Sequence, residues 1–202
     1  MLPLGKVTRC WPPSSASPYT GSMYATINPD RLALRSLCRA ANALEQVAAD
    51  RTIWFFIILD LHRALYAALV AALSAFEFDR AYGPELREQW SKFWENSRTD
   101  PNARPPTSTR VPFLEELLAM AQAERLLRLT QEQQVDFERL KTYRGNLEHV
   151  KPDNWSLPIT DLPGIANNVA LAFEQLFERF QHHLELDEID QTNSALRRLK
   201  GG

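Results

Sequence analysis

From Ile53 onward the chain is apolar on almost every side of a helical wheel: Ile53-Trp54-Phe55-Phe56-Ile57-Ile58-Leu59, then Ala64-Leu65 and a long Ala/Leu/Val run. A helix that is apolar all round must be covered all round. This one feature calls for neighbours on every side, so the helix expected over residues 51–78 lies at the centre of a bundle. A bilayer span is not the expectation. The run Ile53 to Leu59 is too short to cross, and Asp60, His62 and Arg63 interrupt it before the apolar pattern resumes. Three such groups near mid-membrane are costly. A buried helix and no membrane partner follow.

The flanking segments supply the cover. Asn28-Pro29-Asp30 has a capping side chain followed by proline in the first turn, the signature of a helix start. Leu34, Leu37, Ala41, Leu44 and Ala48 then recur every three or four residues, to about Ala49. Tyr82-Gly83-Pro84 breaks the chain before a short helix over 85–96, with Leu86, Trp90, Phe93 and Trp94 on one stripe. An aromatic stripe of this kind reads first as core or interface. Residues 97–112 hold four prolines and Arg98, Arg104 and Arg110, a long exposed loop whose arginines read first as solvated charge. Pro112 opens a helix to about Leu127.

Thr130-Gln131-Glu132-Gln133 fits a capping box, so another helix starts near Gln131 and runs to Lys151-Pro152, where proline disfavours continuation. Leu162, Ile165, Val169, Phe173, Leu176, Phe180 and Leu184 form the cleanest amphipathic repeat in the chain. The predicted fold class is therefore all-α, a bundle of four to five core helices plus a short accessory helix. The seven glycines and an apolar content of 45% agree with that class. Residues 1–27, with Trp11-Pro12-Pro13-Ser14-Ser15, read as a disordered arm. Residues 28–185 form the helical domain, and 186–202 read as a flexible tail.

Charge and cysteine usage narrow the partners. A net charge of -2 leaves no chain-wide basic footprint for nucleic acid, so such a contact has to be local. Cys10 and Cys38 are the only cysteines. With one of them in the arm, a disulfide framework is not expected, and a reducing cytoplasm fits. His182 and His183 are adjacent and point to different sides of a helix, so no metal ligand set is expected there. No cofactor is implied.

The chemistry concentrates in Leu140-Lys141-Thr142-Tyr143-Arg144-Gly145-Asn146-Leu147-Glu148-His149. On a regular helix Arg144 and His149 fall about 140° apart. They bracket a sector holding Lys141, Gly145 and Glu148. An arginine fork matches two phosphate oxygens at any cellular pH, and a histidine exchanges protons near neutrality. Arg144 and His149 are thus the candidate catalytic pair, with Lys141 and Glu148 as substrate-binding groups. Asp60 and His62 join them if that part of the central helix faces the same site; the plainer reading is an i,i+3 ion pair between Asp60 and Arg63. One histidine does not easily serve as both acid and base, so a second group, from a symmetry-related subunit, is expected.

Arg144-Gly145-Asn146-Leu147-Glu148-His149, late in an all-α chain of this size, resembles the mark of the HEPN superfamily: arginine, four to six residues, histidine. Asp50-Arg51-Thr52-Ile53-Trp54-Phe55 through Leu59-Asp60-Leu61-His62-Arg63-Ala64-Leu65 resembles a plasmid-associated bacterial subgroup, as do Leu129-Thr130-Gln131-Glu132-Gln133 and Lys151-Pro152 with Trp155-Ser156. The resemblance covers about 45–185. It implies a HEPN-like helical bundle, often a homodimer with two motifs facing across the interface. It also implies a metal-independent endoribonuclease of toxin–antitoxin or defence systems, with an RNA substrate and an antitoxin partner protein, or else a non-catalytic binding module. Carried over by position, Arg144 and His149 form the catalytic pair. The residue after the arginine is often polar in the family; here it is Gly145.

Overall fold

The computed structural model describes residues 28–107, 110–149 and 156–201. The expectations for the arm 1–27, and for Lys151, Pro152 and Trp155, lie outside the described residues. Among those described, all regular structure is helical. The order is α1 (Pro29–Leu44), α2 (Ile53–Ser74), a 3₁₀ turn (Phe78–Ala81), α3 (Pro84–Asn96), α4 (Leu114–Ala123), α5 (Gln131–Glu148), α6 (Leu162–Phe180), a second 3₁₀ turn (Gln181–His183) and α7 (Leu186–Lys200).

The central position expected for the apolar helix is what α2 occupies. It packs against α1, α4, α5 and α6, and buries Trp54, Ile57, Ile58, Leu61, Leu65, Leu69 and Leu73. Its length and mean hydropathy of 1.8 suit a bilayer span, but most of its apolar window is covered by protein. Burying each such Leu or Ile is worth roughly 1.5–3 kcal/mol, so α2 contributes a large share of the folding free energy. α6 lies against it with Phe173, Phe177 and Phe180 in the core, the last two edge-on at 5.5 Å between ring centroids.

Local chemistry sets the helix ends. The Asn28 side chain accepts from the Asp30 N–H at 2.8 Å, with Pro29 in the first turn. Thr130 and Gln133 close the expected capping box: the Thr130 N–H donates to Gln133 Oε1 at 2.9 Å and the Gln133 N–H to Thr130 Oγ1 at 3.2 Å. Farther along α5, buried Asp136 accepts from Asn168 Nδ2 of α6 at 2.8 Å and from Arg139 at 3.3 Å. That polar tie sets where α5 lies on α6. α3 is peripheral. Of its expected stripe only Leu86 is buried, while Trp94 is 42% exposed and stacks on Trp90.

The segment 186–202, expected as a flexible tail, is corrected by α7. This helix packs on α1 and α6 and buries Thr192, Ala195, Leu196 and Leu199. Ile189, Thr192, Leu196 and Leu199 keep helical spacing. Thr192 is tolerated in the core because its hydroxyl donates to the Glu188 carbonyl at 2.7 Å. Asp187 and Glu188 sit in the first turn and Arg197, Arg198 and Lys200 in the last, the arrangement favoured by the helix dipole. Ion pairs Arg31–Glu188 at 3.2 Å and Lys200–Glu174 at 2.8 Å tie it to α1 and α6. His183, just before it, lies 3.1 Å from Asp30 of α1. Leu196→Ala is expected to cost about 2–4 kcal/mol, read as a lowered urea midpoint. A change below about 0.5 kcal/mol, the size of an ordinary surface substitution, would return this segment to the status of a frayed tail.

Candidate functional site

α5 packs on α2, and the half-buried His62 of α2 lies near its polar face. α2 has two polar edges. Leu59, His62, Tyr66 and Val70 form one half-buried stripe; half-buried Asp60 lies between the exposed Phe56 and Arg63 on the other. Residues 60 and 62 are about 200° apart on a helix, so they cannot serve one site. Asp60 turns to α1, where Arg39 donates to its carboxylate and Arg63 joins at 3.3 Å. Asp60 is therefore corrected from substrate-binding candidate to structural ion pair. His62 turns the other way, within electrostatic reach of Arg144 and Glu148 on α5 and of Glu115 on α4. Its ring lies over Tyr66 at 6.4 Å and 15° between planes.

Burial dominates the chemistry of His62. Desolvation disfavours the imidazolium, and the Arg144 and Arg63 charges add to that. Glu148 and Glu115 oppose it, and the result is a pKa lowered to about 4. The ring is neutral at pH 7, with a free nitrogen able to accept a proton.

The expected bracket of Arg144 and His149 is corrected in one respect. α5 ends at Glu148, and His149 caps it with φ -105° and ψ 78°. Its N–H still donates to the Gly145 carbonyl at 3.1 Å. The imidazole therefore departs from the direction a continued helix would give it, and is exposed. Among the described residues no hydrogen bond or ion pair joins it to Arg144. The partner of Arg144 is Glu148, one turn on, at 2.5 Å. Glu148 is thus an occupied carboxylate and not a free substrate ligand. Lys141 is shared between Glu138 at 3.3 Å and Glu115 of α4 at 3.4 Å. Hydrogen bonding to Glu138, with Glu115 also contributing, holds its pKa above the ordinary lysine value.

The structure therefore brings together Arg144, Lys141, Glu148 and His62, sets His149 at the helix end beside them, and excludes Asp60. Glu115 was missed. Its signal was available only as a carboxylate in the first turn after Pro112, because nothing in the sequence says that α4 delivers it to α5. Two open grooves, of about 530 Å³ beside Asp136 and Arg139 and about 700 Å³ beside Trp54 and Arg198, lie elsewhere. Compared with protein-family models, curated proteins and solved structures, the chain matches none.

Gly145 sits between Arg144 and His149 in half-buried helix, and a Cβ built there meets nothing within 4 Å. No close approach demands glycine. Gly145→Ala is expected to raise stability by about 0.5–1 kcal/mol, seen as a higher thermal midpoint; a lower midpoint would mean a neighbour that this geometry does not show.

His62 carries the pH dependence. Its folded pKa of about 4 lies below the unfolded value of 6.5, so folding favours the neutral ring. That contribution is complete above pH 6.5 and is lost as pH falls to about 4, with a ceiling of about 3 kcal/mol. Urea unfolding at pH 7 and pH 4.5 is expected to show this loss in wild type and a smaller one in His62→Gln. Equal slopes would place His62 in water.

Proposed function

We propose that this chain is a HEPN-like helical bundle acting as a metal-independent endoribonuclease, in which Arg144 binds the scissile phosphate and His149 transfers a proton. The observation that supports the reading is the meeting of Arg144 with Lys141 and a neutral histidine, His62, on one face where α4 and α5 lie on α2. Cleavage by transesterification needs three things. The 2′-hydroxyl loses its proton as its oxygen attacks phosphorus, the 5′-oxygen leaves and takes a proton, and charge building on the phosphoryl oxygens is stabilised. Arg144 serves the charge, as a planar fork for two oxygens. His62 serves as acceptor for the 2′ proton, and a bound phosphate beside it raises its basicity. His149 serves the leaving oxygen. The products are a 2′,3′-cyclic phosphate and a 5′-hydroxyl. A homodimer with two such faces at a shared cleft, an antitoxin protein that masks them and a cytoplasmic setting belong to the same proposal.

A second reading, a non-catalytic binding module, is favoured by one observation: Arg144 and Lys141 are already matched by Glu148, Glu138 and Glu115. A phosphate must displace carboxylates to be held.

Purified protein is expected to cleave RNA in EDTA, with Arg144→Ala and His149→Ala each lowering the rate at least 100-fold, the scale of a lost oxyanion or general-acid contribution. Binding without cleavage supports the module. Cleavage at the wild-type rate by both variants removes the enzyme assignment.

A further inference from the structure

Four helix ends meet away from the α5 face: the last turns of α1 and α7 and the first residues of α2 and α6. They border the open groove of about 700 Å³, to which neither α4 nor α5 contributes a lining residue. The residue types explain why the bundle stays open there. Ala41, Ala48, Ala166 and Gly201 line the groove with almost no side chain, and Pro163 brings only its ring. The larger apolar groups on its wall, Trp54 and Leu199, are 4% and 1% exposed. They are packed in the core and are not free to fill the space.

The charge on this groove is uneven. Every lining residue from α2 and α6 is apolar. The charged ones stand on the side of α1 and α7: Glu45, which ends α1, and Arg197 and Arg198 in the last turn of α7. Arg198 donates from Nη1 to Glu45 Oε1 at 3.2 Å, which occupies that carboxylate. Arg197 is exposed and has no carboxylate partner among the described residues. Nearby Lys200 is bound to Glu174 at 2.8 Å and does not line the groove. The lining therefore carries a single surplus positive charge, on Arg197, at one side of an apolar trough.

We propose that this groove binds an alkyl carboxylate of the fatty-acid class, with its tail along Trp54, Ala166 and Leu199 and its head on Arg197, beside the Arg198–Glu45 pair. A mostly apolar cleft of about 300–1,000 Å³ with a few polar groups is the usual form of a small-molecule site, and this groove falls within that range. The tail gains from each methylene that leaves water. The head gains from a guanidinium fork, which matches a carboxylate with two parallel N–H bonds. One surplus positive charge selects a monoanion. A phosphate monoester carries about two negative charges at pH 7, and the second would stand unmatched against Glu45. The inference is independent of the ribonuclease reading, because no group of the α5 face takes part.

Calorimetric titration of the full chain with octanoate, octanol, octyl phosphate and acetate separates tail from head. Octanoate is expected to bind at least about 50-fold more tightly than acetate, which lacks the tail. It is expected to bind about 3- to 10-fold more tightly than octanol, between the scale of an exposed ion pair and that of a charge-assisted hydrogen bond. Octyl phosphate binds no more tightly than octanoate. Arg197→Gln brings octanoate to the affinity of octanol and leaves octanol unchanged. Ala48→Trp sets a large ring into the groove and abolishes binding of both. Octanoate that does not bind, or that Ala48→Trp leaves at wild-type affinity, overturns the site. Octanol as tight as octanoate, or a ratio that Arg197→Gln leaves intact, overturns the carboxylate: the groove is then a bare apolar surface of the kind a partner helix covers. Octyl phosphate tighter than octanoate overturns the monoanion. Ala48 and Arg197 are both exposed, so the variants are expected to melt with wild type, and a matching thermal midpoint verifies that lost binding is not lost fold.

Discussion

The burial of α2 is the constraint on which the rest of this structure depends. Its apolar residues face in all directions, so α1, α4, α5 and α6 must each present an apolar stripe to it. The polar residues of α2 then have only the seams between neighbours to occupy. Asp60 takes the seam with α1, where Arg39 and Arg63 neutralise it. His62 takes the other, among charges carried by α4 and α5. Its low basicity follows from the same burial that stabilises the helix. Folding energy and the chemistry of the candidate site therefore come from one packing arrangement.

The polar surface of α5 shows a different balance. Arg144 and Lys141 are each matched by carboxylates placed three or four residues away or delivered by α4. Exposed pairs of this kind contribute little to stability, of order 0–1 kcal/mol, but they determine what an incoming anion meets. The same pairing keeps the face near neutral, in keeping with a chain whose net charge is -2. Arg110 differs in lying on Phe113.

Much of the architecture was legible because helix periodicity and capping are local. The start at Asn28-Pro29, the break at Gly83-Pro84 and the box at Thr130–Gln133 each depend on residues within a few positions of one another. The segment after Leu184 was misread for a reason of the same kind. Its stripe of Ile189, Thr192, Leu196 and Leu199 is short, contains a hydroxyl and is flanked by charges that suit solvent. Thr192 enters the core only because the preceding turn offers a carbonyl to its hydroxyl. The site was half legible. Glu148 was expected to bind substrate, although i,i+4 spacing also permits its pair with Arg144, and the placement of His149 rested on a helix that stops one residue earlier.

By itself, the sequence determined an all-helical chain with one helix too apolar to lie on a surface, and a late helix carrying lysine and arginine in its last turns with a histidine near its end. These are properties of periodicity and composition, which act over a few residues. Only the tertiary structure decided that His62 and not Asp60 faces that helix, that α4 brings Glu115 to it, and that the last fifteen helical residues close the bundle. The physical reason is that rotation and neighbours are set by how side chains of distant elements fill the space around α2. No spacing within a single segment encodes that packing.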